Sequence, residues 1–390
     1  LETNLPGPVD TRPGRGEGKG KASTLVVTGC LSQRYAPQLK RDMPEVDLFV
    51  GTGDYGKLVD LLEQPREVQR AFTIGPAGYL PGAGDARPTA AGRATAYLKV
   101  SEGCNHTCAF CIIPAMRGRL ASRPVESVAA EAERLAAGGT RELILVSQDT
   151  TAYGQDLRDG TTLAALVRRL VAVPGVEWIR LMYAYPSEVS DELIDLLASE
   201  PKLCAYLDMP VQHVADPVLR AMRRKGSGAF VRGLVERMRA RVPGLALRTS
   251  VIVGFPGETD RDFEELLAFV EEGHLAHLGV FRFSKEEGTR ADALPGQLPE
   301  RVKRQRRTAL MRAQAKVAAA RNRAAVGTVR RVLVEGVSAE TDLLLKGRTS
   351  QQAPEIDGLV YLNAGRARVG EIVDARVSEA HGYDLVAGII

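Results

Sequence analysis

The stretch Glu102-Gly-Cys-Asn-His-Thr-Cys-Ala-Phe-Cys111 follows directly on Ala96-Tyr-Leu-Lys-Val100, a run that reads as a β-strand. Its cysteines, Cys104, Cys108 and Cys111, have the spacing C-x3-C-x2-C, and the chain holds only two others, Cys30 and Cys204. Three of five cysteines inside eight residues do not make a disulfide framework; in a reducing compartment such clustering points to metal. A 4Fe-4S cluster is usually held by four protein cysteines, one on each iron. With only three local thiolates, one iron is open to the amine and carboxylate of a small molecule, and the cluster can deliver an electron to it. The competing reading is a structural zinc with His106 or a remote residue as fourth ligand. Against zinc stands the position of the loop at the mouth of a βα barrel, where a structural metal has little to stabilise.

Working outward, strands and helices alternate six times. Strands are expected at 96–100, 142–146, 178–182, 205–209, 247–253 and 278–283. In the first intervening helix Val125, Val128, Ala129, Ala132, Leu135 and Ala136 share a face, with Pro124 suited to the first turn and Gly138-Gly139 to the exit. Repeated βα units with short connections imply an α/β fold, a parallel sheet closed into a partial (βα)6 barrel over 95–298, with sites at the strand C-terminal ends. Upstream, 24–28 and 48–50 read as strands around a helix at 34–42, part of an N-terminal α/β fragment at 1–80. The stretch 6–21, rich in Gly, Pro and charge, is expected to be a loose loop, and 81–94 a linker. A basic helix is expected at 299–325, with Val302, Ala309, Ala313 and Val317 near one face. Five short β-rich runs in 326–390 then suit a small β-barrel.

No run of about 18 apolar residues spans a membrane, and the first residues lack the segments of a signal peptide, so the expected location is the cytoplasm. The chain opens with Leu instead of Met, and we expect an N-terminal piece to precede it. Net charge is +4 but uneven: nine basic residues stand against Glu300 alone between 300 and 323, whereas 326–390 holds seven basic and nine acidic residues.

The cysteine triplet on the loop after the first of six βα units resembles the signature of the radical S-adenosylmethionine (SAM) superfamily. That resemblance implies reductive cleavage of SAM at the open iron, giving a 5′-deoxyadenosyl radical that abstracts hydrogen from an unactivated C–H bond. Further stretches narrow it: Tyr97-Leu-Lys-Val-Ser-Glu-Gly-Cys-Asn-His106, Cys111-Ile-Ile-Pro-Ala-Met-Arg-Gly118, Val146-Ser-Gln-Asp-Thr-Thr-Ala-Tyr-Gly154, Tyr206-Leu-Asp-Met-Pro-Val-Gln-His213 and Val253-Gly-Phe-Pro-Gly-Glu-Thr259 are similar to the methylthiotransferases. Ala353-Pro-Glu-Ile-Asp-Gly-Leu-Val-Tyr-Leu-Asn363 looks like their C-terminal TRAM barrel. One branch of the family modifies an adenosine of tRNA, the other the β-carbon of an aspartate in small-subunit ribosomal protein twelve. The wording of 147–154 and 208–213 is closer to the second branch.

Charge agrees, since a tRNA-binding appendage should be basic, and this acidic one suits a basic ribosomal protein, free or in its subunit. The basic helix is the contrary sign; it reads either as RNA contact or as a solvated face. A non-catalytic zinc and RNA-binding protein is the remaining alternative.

By resemblance, Cys104, Cys108 and Cys111 hold the catalytic cluster and an external donor reduces it. Ser147, Gln148 and Asp149 would meet the methionine or ribose end of SAM, with Gln212 and His213 at the same mouth. Gly254 to Gly257 would admit the adenine, and Arg248 would meet a carboxylate of SAM or of the substrate unless it is a core-edge ion pair. Cys30 matches the third cysteine of an N-terminal domain that holds a second, sulfur-donating 4Fe-4S cluster, whose other two ligands we expect upstream. Cys204 is expected to be a packed residue just before the fourth barrel strand.

Overall fold

The computed structural model describes residues 24–64, 72–82 and 94–390. The stretch 6–21 and residues 83–93 of the linker lie outside the described residues. Two compact units divide between Gly75 and Pro76.

In the first unit, β1 (Val26–Thr28), α1 (Cys30–Asp42), β2 (Leu48–Val50), α2 (Leu58–Glu63) and β3 (Phe72–Thr73) build a parallel sheet of order β1-β2-β3. Ala36, Val46 and Phe49 form its core. The helix starts at Cys30, four residues before the expected Arg34, because Gly29 turns the chain at φ 122° and its carbonyl accepts the bond from Gln33 N at 2.9 Å.

The second unit opens with β4 (Thr95–Lys99), the short pair β5 (Ser101–Glu102) and β6 (Ala121–Ser122) flanking α3 (Ile113–Arg117), and α4 (Val125–Ala137). The alternation continues through β7 (Glu142–Val146), α5 (Leu163–Val171), β8 (Trp178–Leu181), α6 (Asp191–Ser199) and β9 (Leu203–Asp208). Then come α7 (Asp216–Ala221), α8 (Gly228–Arg241), β10 (Ala246–Val253), α9 (Asp260–Glu271) and β11 (His277–Arg282). The six long strands form one sheet of order β11-β10-β9-β8-β7-β4, every adjacent pair parallel. Period-two alternation sorts its faces. Leu98, Leu143, Leu145, Ile179, Leu207, Leu247 and Val251 pack outward in one core with the helices. Ile144, Trp178, Met182, Cys204, Tyr206 and Ala246 lie on the other, concave face.

The connecting helix α10 (Glu300–Ala325) leads into β12 (Val329–Val337), β13 (Leu345–Thr349), β14 (Val360–Ala364), β15 (Ile372–His381) and β16 (Asp384–Ile389), a closed barrel of order β12-β13-β14-β16-β15. Leu333 and Ala353 of this barrel pack on the concave face. Its loop from Thr349 to Asp357 covers the N-terminal half of the sheet, so the strand C-terminal ends are left for a site.

Five of the nine cations of α10 are exposed, Arg301, Arg304, Arg312, Lys316 and Arg323, so a solvated face is present, but the helix also buries two. Lys303 and Arg306 are buried, Lys303 Nζ donating to Phe283 O at 2.9 Å and Arg306 pairing with Glu258 at 2.7 Å. The helix packs through these cations with Leu310, Ala313, Gln314 and Ala318, so of the four apolar positions expected on its face only Ala313 is buried. Cys204 lies inside β9 rather than before it, fully buried, and burial pushes its thiol up to about 11. No helix among the described residues is long and apolar enough to cross a membrane.

Candidate active site

Glu102 anchors the cysteine loop. Its buried carboxylate takes Lys99 Nζ, lies 3.5 Å from Arg117 Nη1, and accepts from Gln148 Nε2 at 2.8 Å. Gly103 has φ +78°, and a Cβ there would lie 2.1 Å from the Arg119 carbonyl oxygen, so only glycine admits this close turn. The loop then delivers Cys104, Cys108 and Cys111 to a cleft of about 390 Å³ at the strand C-terminal ends. Gln148 after β7, Tyr183 after β8, Gln212 after β9, and Ser250 and Phe281 of β10 and β11 line the same cleft.

Burial, reinforced by the Asp149 carboxylate and then by the other two thiols, pushes Cys104 up to about 11, and burial raises Cys111 as well. Without a metal both thiols are protonated at neutral pH, so loading must release protons. The donor set fits an iron–sulfur cluster: three soft ligands, one per iron, open to one cleft. Among the described residues no three His, Cys, Asp or Glu side chains lie together as a site for a single metal ion.

His106 is engaged elsewhere. Its Nε2 lies 2.6 Å from Asp149 Oδ2, and its ring stacks on Tyr185 at 3.6 Å between centroids, 11° from parallel. Thr151 Oγ1 donates to Asp149 Oδ1 at 2.6 Å and accepts from Tyr185 N at 2.9 Å, which fixes both partners of the imidazole. On the other face of Tyr185 the Arg224 guanidinium lies 4.0 Å from the ring centroid. Arg224 Nη2 donates to Pro210 O, and Nη1 approaches Cys108 Sγ at 3.8 Å. Sequence reading missed this stack. Arg224 sits in Met222-Arg-Arg-Lys-Gly226, a cation run whose spacing to the cysteines carries no signal.

Of the SAM-contact candidates, Gln148 and Gln212 line the cleft. Gln148 Oε1 is buried with no hydrogen-bond partner, and Gln212 holds φ 70°, a conformation costly for a non-glycine residue. Ser147 is buried 3.2 Å from Thr150 Oγ1, and Asp149 faces His106, so neither opens to this cleft. His213, expected at the mouth, is turned into the core. Burial pushes it down to about 4, and its Nδ1 accepts from Ala215 N.

Gly254 donates its N–H to Glu258, and a Cβ there would lie 2.3 Å from Lys303 Cγ; its φ of +74° and close packing serve α10. Arg248 pairs with Asp208 at 2.7 Å and lies 3.6 Å from Asp357 of the small barrel, the core-edge ion pair of the two readings. Cys30 heads α1 in the first unit.

Residues 98–270 match the radical SAM superfamily and residues 326–390 the TRAM domain. The ribosomal protein uS12 methylthiotransferase RimO of Trichlorobacter lovleyi is 51% identical over 373 residues, 95% of this chain and 83% of that protein. The protein of the same name from Geobacter sulfurreducens is 50% identical over 373 residues, with the same coverage. Among solved structures, the radical SAM methyltransferase TsrM from Kitasatospora setae, bound to tryptophan and a SAM analogue, superposes with a TM-score of 0.52 at 17% identity. It covers 66% of this chain and 55% of that one, a likeness of fold alone.

Proposed function

The chain belongs to the ribosomal protein uS12 methylthiotransferases, and from that membership we propose that Cys104, Cys108 and Cys111 carry the radical SAM cluster in the cleft they line. The reaction replaces a hydrogen on the β-carbon of a uS12 aspartate with a methylthio group. The observation that carries the assignment is the opening of all three thiols onto one cleft at the C-terminal ends of a parallel sheet. When bound, the cluster supplies the electron that cleaves SAM to a hydrogen-abstracting radical.

The chain's own residues orient and shield. Gln148 Oε1, an acceptor without a partner, suits the ammonium group of SAM, and Gln212 faces it across the cleft. Cys30 is assigned to a second, sulfur-donating cluster. An external donor provides the electron in the cytoplasm, where the ribosomal substrate resides. Anaerobic incubation of the reconstituted chain with uS12 and, separately, with tRNA tests the reading. Deuterium placed on the uS12 aspartate β-carbon should be recovered in 5′-deoxyadenosine, a readout that needs only the Cys104, Cys108 and Cys111 cluster; label recovered from tRNA and none from uS12 would overturn it.

Arg224 is assigned as a positioning residue. A cation beside a thiolate favours the reduced, more negative cluster, so Arg224→Met should lower the reduction potential and slow SAM cleavage with iron and sulfide content unchanged. Redox titration followed by EPR reads this, and an unchanged potential would refute it.

The cleft mouth points to how a basic substrate docks. Tyr183 and Phe281 are exposed there, Tyr183 with φ 61°, and the exposed Tyr97 of β4 lies within electrostatic reach of Tyr183. Burial, then the Glu355 carboxylate on the TRAM loop, pushes the Tyr97 phenol up. Glu355 has φ 67°, is exposed, and makes no hydrogen bond or ion pair among the described residues. Aromatic faces beside a free carboxylate recognise Lys or Arg. Glu355→Lys should raise the KM for uS12 by roughly 10-fold, the weight of one charge pair, and leave SAM cleavage without uS12 unchanged.

A further inference from the structure

At the end of the sheet opposite the cysteines, a second cavity of about 330 Å³, open to solvent, is lined jointly by the sheet, the connecting helix and the small barrel. Three elements contribute an arginine to its lining: Arg239, exposed, from α8, and the half-buried Arg321 from α10 and Arg330 from β12. No Asp or Glu lines it. Arg321 is half-buried and makes no hydrogen bond or ion pair among the described residues. Arg330 spends Nε on Thr328 Oγ1 at 3.1 Å and Arg239 spends Nη1 on His274 O at 3.2 Å, both neutral acceptors. Burial and then the positive neighbours Arg239 and Arg330 push Arg321 below its ordinary value, the mark of cations gathered without a counter-charge.

Charges held this close in a partly dry cavity repel one another, and elsewhere in this chain buried arginines are compensated. Arg306 has Glu258 and Asp260, while Arg180 and Arg348 share Glu142. Here no carboxylate among the lining residues supplies that compensation, which leaves it to something from outside. Guanidinium forks match the oxygens of phosphate, and a cavity of this volume exceeds a bare phosphate. Tyr383, a residue 42% exposed, lines the same wall and offers an aromatic ring on which a base can stack.

We propose that this cavity is a nucleotide site, in which Arg239, Arg321 and Arg330 hold a phosphate group and Tyr383 carries the base. The nucleotide is either free in solution or part of an RNA strand; the phosphate chemistry is shared. Binding would tie the sheet, α10 and the TRAM barrel together at a point remote from the cleft, so it is independent of the transfer reaction.

The test uses the reconstituted full chain, titrated calorimetrically and melted with sodium phosphate, ATP and a short oligoadenylate, each against sodium chloride of equal ionic strength. Saturable binding with a raised melting temperature is expected for phosphate and for at least one nucleotide. Binding should weaken roughly 10-fold or more in R321Q and in R239Q/R330Q, as expected when charge-assisted bonds are lost. Competition by ATP alone assigns a free nucleotide, and competition by the oligonucleotide assigns RNA. Without ligand, R321Q should melt at or above the wild-type temperature, since repulsion is relieved. No saturable binding beyond the salt control, or undiminished binding in R239Q/R330Q, overturns the site.

Discussion

Cys108→Ala, reconstituted anaerobically with iron and sulfide, is expected to lose the EPR signal of the SAM-binding cluster and to form 5′-deoxyadenosine at under a hundredth of the wild-type rate. Losing an outer-shell partner of a metal site costs about 10–100-fold, and losing one of three ligands must exceed that. No spare donor stands by among the described residues. His106 is committed to Asp149 and stacked on Tyr185, and Cys204 lies buried in β9 under the TRAM loop. The same reasoning applies to Cys104 and Cys111. Because burial holds Cys104 near 11 before loading, reconstitution should also run faster as pH rises from 7 toward 9, with more thiolate available at each step. A variant that cleaves SAM at the wild-type rate would remove Cys108 from the site.

The sheet and the cysteine loop were legible because local signals and tertiary demands agree. Apolar runs bounded by Gly and Pro marked the strands to within a residue or two, since each strand must bury its outer face against a helix. That the three cysteines share one cleft was legible because their spacing puts them on a single loop after the first barrel strand. The glycine at Gly254 was misleading: a positive-φ glycine after a strand suits ligand approach and helix packing equally, and only the Lys303 side chain against it decides. His213 failed for a related reason, because one residue of register separates it from Gln212 and turns it from the mouth into the core. The cations of α10 could not be sorted by composition. Whether an arginine is solvated, paired or gathered with its own kind depends on partners up to 250 residues away, as with Arg348 and Thr95. The TRAM loop's role as a floor to the site was likewise hidden, since no local pattern says which face a barrel loop will cover.

That floor rests on Glu142, and its removal should have the largest effect on stability. Glu142 begins β7 on the concave face, fully buried, with Arg180 Nε at 2.8 Å and Arg348 Nη2 at 2.6 Å. Arg348 comes from the small barrel, as does the Ser350 carbonyl that accepts from Arg180 Nη1 at 2.8 Å. Tyr206 Oη donates to Asp357 at 2.8 Å, continuing the join toward the cleft. Glu142→Leu leaves Arg180 buried without a carboxylate and Arg348 with Glu335 alone, a loss of about 3–5 kcal/mol, whereas cutting the exposed Arg331 to Glu177 contact should cost under about 1 kcal/mol. Urea unfolding of both variants measures the difference.

The pH dependence has a definite sign. Burial alone would raise the Glu142 carboxyl, but Arg180 and Arg348 outweigh it and hold the group at about 2, below its ordinary 4.5. A group depressed on folding stabilises fully above its unfolded pKa and loses that contribution as pH falls through the folded one. A shift of this size is worth roughly 3 kcal/mol, present above pH 4.5 and lost toward pH 2. The stability gap between the wild type and Glu142→Gln should therefore be flat from pH 7 to 5 and close below 4.5. A gap that persists unchanged at pH 3 would mean that the carboxylate charge does not hold the TRAM barrel to the sheet.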